Sequence, residues 1–109
     1  MATKRFVILG GGPAGNQCAT HAARLGADVT LVEADIIGGA AHLWDCIPSK
    51  AMIATGGALA LINQAQGMGL TKVSAELDFD GLRQRILDIE ERLQHSVQGL
   101  LASQGVHII

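Results

Sequence analysis

The stretch RFVILGGGPAGNQCATHAARLGADVTLVE, residues 5–33, decides the fold. It opens with a continuous apolar run, which is typical of a strand buried on both faces of a parallel sheet. A segment with helical spacing follows, and Gly26 is expected to end that helix. The residues predicted on its core-facing side are Ala14, Cys18, Ala22 and Leu25. Residues 28–33 predict a second buried strand, so the stretch predicts a strand–helix–strand unit with a glycine turn before the helix.

The glycine turn itself indicates a dinucleotide site. Gly10, Gly12 and Gly15 match G-x-G-x-x-G, in which the glycines permit a tight turn, close approach of a pyrophosphate and close helix–strand packing. The N-terminus of the following helix offers free N–H groups and a partial positive charge to phosphates. Glu33 ends the second strand, where a carboxylate can bind a ribose diol and would repel a 2′-phosphate. The motif leaves FAD and NAD both open.

Composition excludes several other classes of function. The 109 residues suffice for one small domain, and 8 basic against 10 acidic side chains give no basic stripe for nucleic acid. The sequence has no apolar run long enough to span a membrane and no signal region, so we expect a cytoplasmic location. Two cysteines are too few for a secreted disulfide framework, and no Cys/His spacing predicts a metal site.

The rest of the chain continues the α/β pattern. Residues 48–66 predict a helix with Pro48 in its first turn. Residues 80–105 predict a longer amphipathic helix, and residues 106–109 begin a third strand. The apolar stripe of the longer helix consists of Leu82, Ile86, Ile89, Leu93, Val97 and Leu100. A buried strand at the very end of the sequence indicates the front part of a larger α/β protein.

Cys46 stands two residues before Pro48, at the predicted start of a helix. A helix N-terminus favours the reactive thiolate form of a cysteine, and Lys50 would add positive charge one turn further on. An isolated cysteine also fits an inert small hydrophobic residue. Both interpretations of Cys46 stay open on this evidence.

Three segments occur in a telling order: ILGGGPAG, VTLVEAD and IGGAAHLWDCIPSK. The chain therefore resembles the N-terminus of the pyridine nucleotide-disulfide oxidoreductases, the family of lipoamide dehydrogenase and glutathione reductase. The resemblance covers most of the chain and implies an α/β, Rossmann-like FAD/NAD(P)-binding fold with a parallel sheet. It also implies FAD as cofactor and NAD(P)H as co-substrate. Residues 1–109 would form the N-terminal part of the FAD-binding domain, with its remainder and the NAD(P) and dimerisation domains outside this chain.

The resemblance also assigns site residues. Those it places at the cofactor are Gly10, Gly12, Pro13, Ala14, Gly15, Glu33, Ala34, Gly39, Ala40, Ala41 and Lys50. Cys46 occupies the place of the thiol that contacts the flavin, and Lys50 that of the lysine near flavin N5. Both are predicted to be catalytic.

The chain departs from the family at position 41. The family's second thiol, which exchanges with the substrate disulfide, would fall there, and this chain has Ala41. A disulfide between positions 41 and 46 is impossible, so dithiol exchange in the usual manner is excluded at this site. The pattern resembles a branch of NAD(P)H:quinone reductases, in which the flavin supplies the redox chemistry for a diffusible acceptor. His42 fits a solvated or loop-anchoring residue, or a proton donor to a bound quinone.

Three functions remain open at this point. The first is an FAD-dependent oxidoreductase that takes hydride from NAD(P)H and reduces a diffusible quinone-like acceptor, as a homodimer when complete. The second is a disulfide reductase similar to dihydrolipoamide dehydrogenase, using Cys46 with another thiol. The third is a non-catalytic FAD-binding module. The 109 residues alone are not expected to catalyse any reaction.

Overall fold

The chain folds around a small parallel sheet. The computed structural model describes residues 3–71 and 74–109. The elements are β1 (Arg5–Leu9), α1 (Pro13–Arg24), β2 (Asp28–Val32), a π-helix (Ala41–Cys46), α2 (Ile47–Ala65), α3 (Phe79–Ser103) and β3 (His107–Ile108). The strands are parallel in the order β1-β2-β3, with Arg5 opposite Asp28 and Thr30 opposite His107. The predicted α/β, Rossmann-like class with a parallel sheet is confirmed.

The hydrophobic core lies between the sheet and two helices. Its buried members are Ala19, Val29, Leu31, Ile37, Leu101 and Val106. They come from α1, β2, α3 and the connecting segments, so α1 and α3 cover the same face of the sheet. Val29 and Leu31 alternate with half-buried neighbours, as expected of a strand covered mainly on one side. Burying a leucine side chain stabilises the fold by about 1.5–3 kcal/mol, so Leu31 and Leu101 are major contributors.

The predicted core face of α1 is wrong for Cys18 and Leu25, whereas Ala22 packs against the core as predicted. Ala19 and Thr20 are buried, whereas Cys18 is exposed and Leu25 is 75% exposed. The reason lies in the position of α1, which meets β2 and α3 through Ala19. The predicted stripe instead borders an open groove of about 630 Å³ beside β1, whose lining includes Phe6, Cys18 and Leu25.

The prediction that β1 is buried on both faces also fails for the described residues. Val7 is 69% exposed and Leu9 is 80% exposed. The helices of the described chain cover only the other face of the sheet, and β1 is its edge strand.

The two long helices lie side by side. Arg85 of α3 donates a hydrogen bond to Thr55 of α2, at 3.4 Å. The core residue of the last turn of α3 is Leu101, whereas the predicted Leu100 is 47% exposed. The molecule is elongated, with extents of 71 × 24 × 18 Å. In the described part of the chain, no helix is both long and apolar enough to cross a membrane.

Candidate dinucleotide and redox site

The glycine turn connects β1 to α1 with the backbones in close contact. Gly10 has φ +102°, a conformation that favours glycine, and its N–H donates to the Val32 carbonyl at 2.8 Å. A Cβ added to Gly15 would lie 1.8 Å from the carbonyl oxygen of Gly10. Only glycine therefore allows α1 to approach the end of β1 this closely.

The first turn of α1 presents unused hydrogen-bond donors. The N–H of Asn16 already donates to the Gly12 carbonyl, at 2.9 Å. The N–H groups of Gly12, Ala14 and Gly15 have no acceptor among the described residues. Pro13 has no N–H and fits the first helical position, where none is needed. These donors and the helix dipole together suit an anionic group such as a pyrophosphate.

Gly11 has the opposite character, because its peptide groups are fully used inside the protein. Its N–H donates to Glu33 Oε2 at 2.5 Å, and its carbonyl accepts from Gly38 N at 2.9 Å and from Asn16 Nδ2 at 2.8 Å. Gly11 is buried. It therefore fixes the turn to the end of β2 and to the next loop and has no group left for a ligand.

Glu33 is held by backbone donors on both carboxylate oxygens. In addition to Gly11, the N–H of Asp35 donates to its Oε1 at 2.9 Å. The hydrogen bond from Gly11 and then that from Asp35 lower the pKa of Glu33 below its ordinary value of 4.5. The side chain is thus a fixed anion, and each oxygen keeps a lone pair that can accept from a hydroxyl group.

A second glycine pair packs against the first turn. Gly38 and Gly39 have φ +114° and +81°, and a Cβ on Gly39 would lie 2.6 Å from the Gly12 Cα. The loop after β2 therefore touches the turn before α1. Directly after this contact the chain enters a helix, in which Ala40 and Ala41 are exposed.

The helical segment after Gly39 corrects the prediction for Cys46. Cys46 does not begin a helix, because a π-helix (Ala41–Cys46) precedes it and runs directly into α2. The free N–H groups of the first helical turn therefore lie about one turn before Cys46. A helix N-terminus thus does not favour the thiolate form of Cys46. Its side chain is exposed and its thiol is free.

The π-helix aligns two positions that an α-helix would separate. The N–H of Ile47 donates to the carbonyl of His42, five residues earlier, which is the π-helical pattern. Residues five apart would lie about 140° apart around an α-helix, whereas the wider π-helical turn brings Ala41 and Cys46 closer to one face. Lys50 is four residues after Cys46 in α2 and lies on the same face.

Known proteins of similar sequence identify the family of this chain. Residues 4–109 match the sequence profile described as pyridine nucleotide-disulphide oxidoreductase. The chain belongs to this family. Dihydrolipoyl dehydrogenase of Zymomonas mobilis subsp. mobilis is 34% identical over 104 residues, covering 95% of this chain and 22% of that protein. NAD(P)H dehydrogenase (quinone) of Mycobacterium tuberculosis is 36% identical over 115 residues, covering 96% of this chain and 22% of that protein.

A solved structure agrees with the sequence relatives. The crystal structure of LpdA from Mycobacterium tuberculosis matches with a TM-score of 0.84 at 33% identity, covering 98% of this chain and 23% of that one. The chain thus spans 22% of the length of the curated relatives described above. Family membership confirms the predicted FAD cofactor.

The structure of this pyridine nucleotide-disulphide oxidoreductase segment brings most of the predicted site residues together. The glycine turn, Glu33 and Gly39 form one connected unit through the contacts described above. Ala34 follows Glu33 in an exposed bend. Ala41, Cys46 and Lys50 form a second group along one helical face, which begins directly after Gly39.

Two residues of the site were not predicted from the sequence. Asn16 clamps the Gly11 carbonyl with its amide, and its Oδ1 is buried without a hydrogen-bond partner among the described residues. Gly38 donates its N–H to the same carbonyl. A short polar side chain directly after the last glycine of the motif was the available signal for Asn16, since such side chains bond to nearby backbone.

A small cleft adjoins both groups. It has a volume of about 140 Å³ and lies between the start of α1, the π-helix and the end of α3. Its lining consists of Pro13, Asn16, Gln17, Thr20, His42, Val97, Leu100 and Leu101. His42 is the residue of the π-helix that lines this cleft.

Proposed function

We propose that this chain is the N-terminal part of an FAD-dependent oxidoreductase that takes hydride from NAD(P)H and reduces a diffusible, quinone-like acceptor. FAD would accept the two electrons from NAD(P)H and pass them on. The residues of this chain bind and orient the cofactor and shape the place where the acceptor arrives.

The glycine turn fits the pyrophosphate of FAD. The free N–H groups of Gly12, Ala14 and Gly15 lie at the positive end of α1, where they can donate hydrogen bonds to an anion. The bare backbone of Gly39 against Gly12 leaves no side chain over the turn. Glu33, a fixed anion, would accept hydrogen bonds from the two hydroxyls of the adenosine ribose.

The absence of a sulfur atom at position 41 carries the proposal. Ala41 and Cys46 belong to the same π-helix, and the side chain at position 41 is a methyl group. Cys18, the other cysteine of the chain, lies on α1 and is free. Without a dithiol beside the flavin, electrons have to leave to an external acceptor. The printed name of one relative, NAD(P)H dehydrogenase (quinone), supports this choice.

A disulfide reductase remains the second candidate. The relatives include dihydrolipoyl dehydrogenases, and the exposed Cys46 thiol is available for a mixed disulfide with a thiol from elsewhere. Lys50, on the same helical face, supplies a positive charge near that sulfur. This candidate requires Cys46, whereas the quinone reductase does not require thiol exchange.

Steady-state assays of the full-length protein separate the two candidates. With NADH or NADPH as donor, we expect rapid reduction of 1,4-naphthoquinone and little turnover of lipoamide. A Cys46→Ser variant should keep most of the quinone activity, with Cys18→Ser as the matched control. Fast lipoamide turnover that disappears in Cys46→Ser would contradict the proposal. Full FAD content with no activity toward either acceptor would favour the non-catalytic module.

The remaining expectations concern the whole protein. We propose that residues 1–109 are the first part of its FAD-binding domain and that the NAD(P) and dimerisation domains follow. A homodimeric state and a cytoplasmic location stay predictions from the sequence.

A further inference from the structure

We infer that the small cleft between α1, the π-helix and α3 selects an uncharged planar acceptor, and that His42 donates a hydrogen bond to a carbonyl oxygen of that acceptor. This inference rests on the proposed function and names the class of substrate that the site accepts.

The size of the cleft fits one ring of an aromatic acceptor. Its volume of about 140 Å³ is close to that of the roughly 150 Å³ cavity known to hold benzene in another protein. Val97, Leu100 and Leu101 of α3 form an apolar wall, which suits the face of a ring. Pro13, at the start of α1, also lines the cleft, so an occupant lies beside the glycine turn.

The charge of the lining determines which acceptors fit. Within the described residues, the polar side chains of the cleft are Asn16, Gln17, Thr20 and His42, and none is acidic or permanently basic. The positive end of α1 beside the cleft is already assigned to the pyrophosphate of FAD, so an anionic acceptor would lose part of its hydration here without a cationic partner of its own, which is costly. Neutral carbonyl groups, in contrast, need only a hydrogen-bond donor.

His42 is the donor best placed for that role. It belongs to the π-helix that carries Cys46, so a ligand bonded to it lies next to the redox segment. Its imidazole is exposed and has no hydrogen-bond partner in the part of the chain that the structure describes. Asn16 already donates to Gly11, which leaves His42, Gln17 and Thr20 as donors, and of these only His42 belongs to the π-helix.

Binding measurements test the inference without turnover. The probes are 1,4-naphthoquinone and 1,4-naphthoquinone-2-sulfonate, titrated calorimetrically into the oxidised full-length holoenzyme in the absence of NAD(P)H. We expect the neutral quinone to bind more tightly. His42→Leu should weaken it by about 2- to 12-fold, the range for one hydrogen bond, and His42→Gln should restore most of the loss. His95→Leu, on the exposed side of α3, is the matched control and should change nothing.

A gain of charge provides the reciprocal test. Gln17→Arg places a cation on the cleft wall and should shift the preference toward the sulfonate, whereas Gln17→Met should not. Equal binding by the His42→Leu and His95→Leu variants, or an unchanged preference in Gln17→Arg, would overturn the inference. If quinone turnover continues in that case, the proposed function stands. If binding depends on His42 but no quinone is reduced, the cleft assignment holds and the proposed function fails.

Discussion

Gly15 offers the sharpest test of how the dinucleotide site is built. In the Gly15→Ala variant the new Cβ would lie 1.8 Å from the Gly10 carbonyl oxygen and 3.0 Å from its carbon. Real Cβ atoms essentially never come within 3.0 Å of another heavy atom outside their neighbours, so the two segments must separate by about 1.2 Å. Both opposing groups are backbone, and no side chain can rotate away to relieve the clash.

The loss of folding stability in Gly15→Ala is the balance of two opposing effects. Forced repacking of this kind destabilises by about 1–3 kcal/mol, and a clash between backbones lies at the upper end. Alanine is favoured over glycine in a helix by about 1 kcal/mol, which offsets part of it. The net loss is about 2 kcal/mol, or roughly a 30-fold fall in the ratio of folded to unfolded protein. Because the shift also moves the free N–H groups of α1, we expect the purified protein to lose most of its FAD.

Two measurements on the full-length protein check this expectation. Urea unfolding followed by circular dichroism should show the first transition about 1 M lower, and the flavin absorbance per protein should fall. Gly99→Ala is the matched control, since a Cβ there meets nothing within 4 Å and α3 should gain stability slightly. If Gly15→Ala unfolds at the same urea concentration as Gly99→Ala and retains a full complement of FAD, the site does not require the close contact between β1 and α1.

Three further predictions follow from the same geometry. Ala41→Cys should form a disulfide with Cys46 on mild oxidation, seen as loss of both thiols by mass spectrometry; persistent free thiols would show that the π-helix does not align them. The lowered pKa of Glu33 means that its hydrogen bond to Gly11 adds stability above pH 4.5, and this stability disappears as the pH falls through the folded-state value. The acid-induced loss of stability should therefore be smaller in Glu33→Gln, and identical pH profiles in urea titrations would argue against it. Leu101→Ala removes a fully buried side chain and should cost about 2–5 kcal/mol in urea unfolding, with a near-zero change placing the core elsewhere.

The sequence predicted the glycine turn and the strand–helix–strand unit because these depend on local chemistry. Gly10 needs a positive φ, and Gly15 needs the absence of a Cβ, so both positions are visible in the residue types alone. The ends of α1 and α3 were predictable for the same reason, since Gly26 and Gly105 have φ +82° and +74° just after each helix.

The wrong predictions concern which faces are covered. The stripe of α1 through Cys18 and Leu25 is apolar, and periodicity alone cannot distinguish it from the stripe through Ala19. The position of α3 decided between them, because Leu101 packs on the Ala19 side of α1. Such long-range contacts are not encoded in the spacing of apolar residues within one helix.

The prediction of a helix with Pro48 in its first turn is confirmed by α2, but the π-helix directly before it was not predicted, and the cause is physical. Proline at position 48 is typical of a first helical turn, because it lacks an N–H that can donate. Here a π-helix, in which an N–H donates to the carbonyl five residues earlier, comes directly before α2. The helical backbone therefore continues from one into the other, and Pro48 lies inside it. No residue type predicts a π-helix, so this feature is visible only in the structure.

The π-helix keeps its shape through contacts that involve no disulfide. Its entry is fixed by Gly39, whose carbonyl accepts from the N–H groups of His42 and Leu43 at 3.2 and 3.1 Å. The side chain of Leu43 is buried, and it fills the space where a Cβ on Gly38 would lie 3.0 Å from its Cδ1. Backbone hydrogen bonds and one buried leucine thus hold the segment in place without any sulfur bridge. The segment that presents Cys46 therefore needs no cysteine at position 41 to keep its backbone conformation.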